Sequence, residues 1–148
     1  MTPTQVFRFR LATLLRVRRL REEQARLEMA KLLKSLAEMQ QAVDTAENLR
    51  AQCLALWHQP RKEGLTAPEY QIFHKYINSL RFTIAELLGQ IRQQEMIIKT
   101  QQEKLTKLSQ ERRLLESLRD KRLLRFKQAL TRQVQKQADE LALLGRPR

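Results

Sequence analysis

An apolar repeat across residues 73–115 constrains the fold more than any other feature of the sequence. Its steps alternate between four and three residues without a slip for six heptads, and ten of its thirteen positions are apolar. A period of 3.5 residues keeps these side chains on one side of a helix and indicates a left-handed coiled coil. The positions are Phe73, Ile77, Leu80, Ile84, Leu87, Ile91, Gln94, Ile98, Gln101, Leu105, Leu108, Arg112 and Leu115.

An earlier stretch of the chain repeats this pattern more weakly, and Arg18 and Glu22 dilute it near the N-terminus. A second apolar stripe there, formed by Val17, Leu20 and Leu27, indicates either a third packing surface or, as we favour, a wandering seam. The main seam positions are Leu11, Leu15, Arg18, Glu22, Ala25, Met29, Leu32, Leu36, Met39, Val43, Ala46, Arg50, Cys53 and Trp57.

The two patterns are separated by the one convincing break, residues 59–68, which hold two prolines and a glycine. Thr66 and Glu69 have capping-box spacing for a second helix. We therefore expect an all-α fold, a long antiparallel two-helix coiled-coil hairpin in one elongated domain. The first helix should span about 5–58, the turn about 59–67 and the second helix about 68–144. A parallel homodimer is the competing architecture, and the break disfavours it.

Folding the chain about this break predicts which residues face each other. Leu36 should lie near Ile91, Val43 near Ile84, and Leu15 near Arg112. The second helix should then continue for roughly 25 residues beyond the paired part, as a single projecting helix with a rise of about 1.5 Å per residue.

The net charge of +13 is concentrated near the two chain termini. Residues 1–21 carry six arginines and no acid, residues 22–111 are neutral, and residues 112–148 carry eleven basic and four acidic side chains. A hairpin brings both termini to one end, so the sequence predicts a strongly positive tip. Such clustering favours an acidic or phosphate-bearing partner over an ordinary solvated face. Protein, nucleic acid and anionic lipid all fit this description, and a lipid partner would meet Phe7, Phe9, Leu11, Leu14 and Leu15 beside the arginines.

The sequence offers no arrangement suited to catalysis. It contains no phosphate-cradling glycine loop, nucleophile elbow or paired carboxylates. Cys53, His58 and His74 all lie near the turn, but their spacing matches no zinc pattern. No apolar run approaches the roughly 20 residues of a membrane span. We expect a soluble, cytosolic protein without enzymatic activity, cofactor, metal or small-molecule substrate.

Aromatic residues cluster at the neutral turn. Trp57, Tyr70, Phe73 and Tyr76 lie within twenty positions, in a chain with eight Phe, Trp and Tyr residues. They are expected to cap the hairpin core, with some rings left partly exposed. Because Trp and Tyr are enriched in protein interfaces, the turn is a candidate contact surface as well.

Several stretches resemble the flagellar export protein family FliJ and its counterparts in virulence type III secretion. Residues 7–18 (FRFRLATLLRVR) are similar to the family's start, and residues 70–80 (YQIFHKYINSL) to the start of its second helix. Residues 115–122 (LESLRDKR) and 139–144 (DELALL) are similar to its C-terminal part. The order of these stretches, the length and the hairpin together carry the resemblance.

The resemblance implies that the chain acts like the central stalk of a rotary ATPase. The terminal end would enter the hexameric ring of the export ATPase and promote its assembly and activity, while other surfaces contact the membrane-bound export gate and export chaperones. It also implies peripheral association with the cytoplasmic face of the inner membrane at the flagellar base. The candidate ATPase-binding residues are Arg8, Arg10, Arg16, Arg18, Arg19, Arg119, Lys121, Arg122 and Arg125. The candidate gate-binding residues are Trp57, Tyr70, Phe73, Tyr76 and Leu80.

The basic residues leave a second class of function open. A coiled-coil protein associated with nucleic acid or the ribosome would use the same residues on phosphates. The basic regions have few aromatic side chains for base stacking and no nucleic-acid-binding motif, so we do not expect nucleic acid to be the partner.

Overall fold

The computed structural model describes residues 6–59 and 64–145, and this part of the chain forms two helices and no strand. Helix α1 spans Ala12–Trp57 and helix α2 spans Ala67–Leu144. The two helices pack against each other as a hairpin, which confirms the all-α fold class. Part of the predicted turn, residues 60–63, lies outside the described residues.

Helix α2 begins where the sequence predicts. The backbone N–H of Glu69 donates to the Thr66 hydroxyl at 3.4 Å, and the backbone N–H of Thr66 donates to the Glu69 carboxylate at 3.3 Å. This reciprocal pair is a capping box, which satisfies two donors that the first helical turn leaves without partners. The helix continues through Gly89 and ends at Leu144, directly before Gly145.

Helix α1 begins later than the predicted start near residue 5, because the segment before Ala12 has another conformation. Residues 6–9 are not helical, and the backbone N–H of Ala12 donates to the Phe9 carbonyl at 3.1 Å. Phe7 and Phe9 are half-buried while Val6, Arg8 and Arg10 are exposed. This alternation has the period of an extended segment, in which neighbouring side chains point to opposite sides.

The predicted seams form the core. All thirteen seam positions of α2 are buried or half-buried, as are the fourteen predicted for the first helix, of which Leu11 precedes α1. In the second stripe, by contrast, Leu20 is 53% exposed and Leu27 is 60% exposed, so neither side chain packs in the core of the chain. A two-helix hairpin has one shared seam, and the more regular repeat determines which side chains occupy it.

The chain divides into two compact units, and both helices contribute to each. We call residues Ala25–Lys104 the turn unit and the combination of Met1–Gln24 with Leu105–Arg148 the terminal unit. The predicted single domain is not tested by this division and stays a prediction. Among the described residues, no helix is long and apolar enough to cross a membrane.

In the turn unit, two glutamines at seam positions bind the backbone of the other helix. The Gln94 amide donates to the Leu32 carbonyl, and the Gln101 amide donates to the Ala25 carbonyl, each at 3.1 Å. Gln94 follows Ile91 by one seam step, and Leu32 precedes Leu36 by one, which agrees with the predicted register. Buried amides that find partners favour one register over others.

In the terminal unit, the seam contains a buried ion pair. The Glu22 side chain is only 3% exposed, and its carboxylate accepts hydrogen bonds from two nitrogens of the Arg112 guanidinium. The Arg112 guanidinium also donates to Glu116 at 2.9 Å. The sequence analysis expected Leu15 opposite Arg112 and treated Glu22 and Arg112 as separate interruptions. The structure shows that Glu22 and Arg112 are ionic partners, while the proximity of Leu15 to Arg112 stays a prediction.

Glu116 extends this pair to a second arginine of α1. Its carboxylate accepts from the Arg19 guanidinium at 3.0 Å and from Arg112 at 2.9 Å. The hydrogen bond from Arg19, followed by that from Arg112, holds the pKa of Glu116 below its usual value, although burial acts in the opposite direction. The pKa of Arg112 is raised, chiefly by its hydrogen bond to Glu22. Both groups therefore stay ionised at neutral pH.

The buried pair gives a stability prediction. Glu22→Leu removes the carboxylate and leaves the Arg112 guanidinium beside the seam, so the free energy of unfolding should fall by about 1–3 kcal/mol, less than for a fully buried pair. The double variant Glu22→Leu/Arg112→Leu should recover most of this loss. Urea unfolding followed by far-UV circular dichroism measures both, with the exposed Glu23→Leu as the control. A double variant as unstable as Glu22→Leu would contradict the pairing.

The lowered pKa of Glu116 gives a pH dependence. A carboxyl whose pKa is lower in the folded than in the unfolded chain adds stability above the unfolded value, about 4.3, and loses it as the pH falls through the folded value. Glu116→Gln should therefore be less stable than the wild type at pH 7, and the difference should disappear in acid below that range. Thermal unfolding from pH 7 to pH 2 tests this, with Glu103→Gln at an exposed α2 position controlling for the lost charge. A difference independent of pH would count against the ionic contact.

Candidate functional site

The terminal unit contains all nine basic residues that the sequence analysis selected, and we call them the basic surface. Two come from the segment before α1, three from its first turns and four from α2. The structure thus brings together residues that are separated by about a hundred positions in sequence. They are Arg8, Arg10, Arg16, Arg18, Arg19, Arg119, Lys121, Arg122 and Arg125.

Three members of the basic surface are already engaged with acidic neighbours. Arg18 contacts Glu111 at 3.1 Å, and Arg19 contacts Glu116 at 3.0 Å. Arg119 contacts the adjacent and largely exposed Asp120 at 3.4 Å. The carboxylates on α2 neutralise part of the charge that the sequence count assigned to this surface. Arg18 and Arg19 consequently stabilise the hairpin, whatever else they contact.

The extended segment before α1 is held on α2 by its two phenylalanines. The Phe7 ring lies 5.6 Å from the Phe126 ring, measured between centroids. The Arg122 guanidinium lies over the Phe9 ring at 5.7 Å from its centroid, a cation–π distance. Alternation then directs Arg8 and Arg10 to the solvent, beside α2. The sequence signal was the period-two pattern Phe-Arg-Phe-Arg, which the helix prediction overlooked.

Apart from Arg122, which lies over the Phe9 ring, the remaining members of the basic surface are exposed, and none of them forms an ion pair with another residue that the structure describes. A partner can contact these five side chains without displacing a carboxylate of the described chain. They are Arg8, Arg10, Arg16, Lys121 and Arg125.

The last part of α2 is exposed along its whole length. Residues 127–144 are helical and exposed throughout, so packing ends with the ring contact between Phe7 and Phe126. The sequence predicted a projecting helix of roughly 25 residues, and the structure shows eighteen because the extended segment covers α2 further than a helix was expected to. Lys127, Arg132 and Lys136 lie on this part and were not among the selected residues.

In the turn unit, the predicted aromatic cluster forms around Trp57. Its ring lies 5.0 Å from the Tyr70 ring and 5.1 Å from the Phe73 ring. Tyr70 is 52% exposed and Tyr76 is 46% exposed, whereas Leu80 is 8% exposed and belongs to the core. Four of the five residues selected at the turn are therefore accessible at least in part, while Leu80 is not accessible to a partner.

One side of this cluster borders an open apolar groove of about 350 Å³. Leu49, Leu56 and Ile72 are 41%, 50% and 68% exposed. The sequence analysis missed these side chains because they flank the seam and do not belong to either repeat. A groove lined in this way suits one or a few apolar side chains of a partner. It is lined by Leu49, Gln52, Cys53, Leu56, Ile72, Phe73 and Tyr76.

The residues considered for a metal do not converge. Cys53 is buried in the seam, and the His74 ring stacks on Tyr70 while its Nε2 lies 3.2 Å from the Asn78 amide nitrogen. Across residues 6–59 and 64–145, no group of three His, Cys, Asp or Glu side chains is placed to hold a metal ion. The described residues thus present two candidate surfaces, one basic and one apolar.

Comparison with known proteins agrees with this description. The family model described as "Flagellar FliJ protein" matches residues 7–145, which include both helices and the extended segment. Neither the curated proteins nor the solved structures yield a match. The chain therefore belongs to the FliJ family and is a component of the flagellar protein export apparatus.

Proposed function

We propose that this chain binds the ring of the export ATPase in the manner of a central stalk, promotes its assembly and activity, and links it to the export gate and export chaperones. The observation that carries the proposal is the set of exposed basic side chains in the terminal unit that have no carboxylate partner among the described residues. Membership of the FliJ family indicates that this surface acts within the flagellar export apparatus.

The charge arrangement supports an acidic protein partner for the terminal unit. Arg8 and Arg10 extend from one segment, and Lys121 and Arg125 from α2, so positive charge is presented by two different parts of the chain. Complementary charges steer association and fix orientation more than they add affinity. A ring lined by acidic loops would meet these side chains without breaking the Arg19–Glu116 contact that helps to hold the hairpin.

The turn unit is the proposed contact for the gate and the chaperones. Aromatic side chains next to an apolar groove are the features that most often dominate the binding energy of protein interfaces. Trp57 and Phe73 are partly fixed by their ring contacts, so little side-chain freedom is lost on binding. Contact with the gate would keep the protein peripherally at the cytoplasmic face of the inner membrane, at the flagellar base.

The ATPase contact is tested by charge reversal at exposed positions. The triple variant Arg16→Glu/Lys121→Glu/Arg125→Glu should bind the purified export ATPase at least about ten-fold more weakly and lose most of its stimulation of ATP hydrolysis. The matched control, Lys34→Glu/Lys99→Glu/Lys104→Glu, makes the same charge change at exposed positions of the turn unit. The hydrolysis rate and the concentration for half-maximal stimulation are measured for both.

Equal effects of the two triple variants would show that only net charge matters and would refute a defined basic surface. If the wild type neither binds the ATPase nor changes its rate, the proposed mechanism fails. Retention of nucleic acid by the purified protein, lost after nuclease treatment, would then support the nucleic-acid alternative.

The gate contact is tested at the groove. Ile72→Ser/Tyr76→Ser removes two exposed apolar side chains from its wall and should weaken binding to the cytoplasmic domain of the gate by about ten-fold or more. Phe82→Ser/Met96→Ser is the matched control, since these side chains are 71% and 72% exposed and lie outside the groove. Binding is measured by titration with each variant. Equal binding by the groove variant and the control would remove the groove from the proposal.

A further inference from the structure

A second groove, of about 230 Å³, lies on the other side of the aromatic cluster at the turn. Ile72 and Tyr76, which line the first groove, directly precede seam positions of α2, whereas His74 and Asn78 directly follow the same positions. The two grooves therefore flank opposite edges of the seam, and they share no lining residue. The lining of the second groove includes Leu54, Trp57, Tyr70, His74, Asn78 and Arg81.

The aromatic wall of the second groove is connected by a series of side-chain contacts. The Trp57 ring lies 5.0 Å from the Tyr70 ring, and the Tyr70 ring stacks on His74 with the two planes 7° apart. The His74 ring is in turn in hydrogen-bond contact with the Asn78 amide at 3.2 Å. Because each of these side chains restricts the next, a partner that packs on this wall loses little side-chain freedom on binding.

The lining of this groove carries a positive charge and no carboxylate. Arg81, the last of the α2 side chains along the groove, is exposed and forms no ion pair within the part of the chain that the structure describes. Residues 70–85 contain two basic side chains and no acid, and residues 48–58 contain one basic side chain and no acid. Glu47, two turns before Leu54 on α1, forms no ion pair with Arg81. The first groove, by contrast, has no charged residue in its lining.

We propose that the second groove binds a peptide segment of a partner protein in which an apolar side chain lies within two or three positions of a carboxylate. The apolar side chain packs on the rings of Trp57 and Tyr70, and the carboxylate accepts hydrogen bonds from the Arg81 guanidinium. Asn78 contributes a further donor, since an amide nitrogen has two N–H groups and His74 occupies only one. The inference rests on the proposed role of the turn unit as a protein contact, and it adds the chemistry of the segment that is bound.

The positions of these side chains on α2 agree with such a segment. Arg81 follows Asn78 by three residues, so the two lie on the same face of the helix. Side chains of a helix lean toward its N-terminus, which directs the Arg81 side chain back along the groove toward the rings. The basic and the aromatic parts of the lining are thus close enough for neighbouring side chains of one segment to reach both.

Charge and size favour a peptide carboxylate over a nucleotide. A single arginine matches the single charge of a carboxylate, whereas a nucleotide brings two or more charges on its phosphates. The groove volume of about 230 Å³ is also below the roughly 300 Å³ or more of typical small-molecule sites, and it suits one or two side chains.

The first experiment uses Trp57 as the reporter, because it is the one tryptophan of the chain and it lines the groove. The full-length protein is titrated with acetyl-Ser-Glu-Glu-Ser-Leu-Leu-Ser-Glu-Glu-Ser-amide, in which carboxylates on both sides of the leucines allow either chain direction. The emission of Trp57 should change with a saturating dependence on peptide concentration. The same peptide with Gln in place of every Glu should bind about five-fold or more weakly.

The basic and the aromatic parts of the groove are tested by separate variants. Arg81→Gln should reduce the affinity for the Glu peptide to that for the Gln peptide, while Arg92→Gln, which removes the same charge at an exposed position outside the groove, should bind like the wild type. Tyr70→Ser should weaken the binding of both peptides several-fold. Tyr76→Ser is its matched control, because Tyr76 lines only the first groove. Far-UV circular dichroism verifies that all four variants remain helical.

The outcomes separate this inference from the proposed function. Equal binding of the two peptides, or equal losses in Arg81→Gln and Arg92→Gln, would overturn the assignment of a carboxylate. Unchanged Trp57 emission with both peptides would overturn the groove as a peptide site. The cytoplasmic domain of the gate is titrated in parallel with the wild type. If the gate domain binds and the Glu peptide does not, only the present inference fails, whereas binding of the peptide without the gate domain contradicts only the proposed gate contact.

Discussion

The structure depends on the burial of a single apolar seam between two helices. Because each helix has one face against the other and the rest in solvent, no large side chain among the described residues is less than 2% exposed. Stability must come from the length of the seam, because the seam consists only of the side chains that lie directly between the two helices. The same geometry explains why side chains beside the seam, such as Leu49 and Leu56, stay partly exposed and form a groove. In a protein with a further helix or sheet packed over this face, Leu49 and Leu56 would be buried in the core.

Polar groups within the seam give the pairing its specificity. A repeat made only of Leu and Ile can be satisfied after a shift by one heptad, because the same kinds of side chain then meet again. Gln94 and Gln101 bind particular carbonyl groups of α1, and Glu22 binds Arg112. Each of these contacts would be lost on a shift, leaving buried polar groups without partners. The seam therefore combines apolar burial, which holds the helices together, with polar contacts that select their alignment.

The sequence determines the helices and the seam because these follow from local periodicity and capping. Every predicted seam position is at least half-buried, and the Thr66–Glu69 capping box forms as expected. The partners within the seam were harder to foresee. Arg18, Glu22 and Arg112 look like defects when each helix is considered alone, and only the packed pair shows that Arg18 contacts Glu111 and Arg112 contacts Glu22.

The start of α1 and the composition of the basic surface were also hard to predict from the sequence, because both depend on contacts between distant parts of the chain. Residues 7–10 follow apolar–basic alternation and not the heptad repeat, since Phe7 and Phe9 pack on another part of the chain. A charge count cannot distinguish Arg16 from Arg18, although one is exposed and the other has an acidic partner. The groove at the turn combines two seam residues, Cys53 and Phe73, with side chains from both helices that belong to neither repeat. Such features follow from tertiary contacts, which a single repeat does not encode.

The eighteen residues of α2 beyond Phe126 have a thermodynamic consequence. Isolated helices of this length are marginal in water, because forming the first turn is unfavourable. Here the preceding packed turns serve as a permanent nucleus, so the segment has only to propagate, one residue at a time. Its amide protons should therefore lose protection gradually toward Leu144, without a cooperative unfolding step. A partner that binds this segment extends an existing helix and loses less conformational entropy than one that must order a random coil.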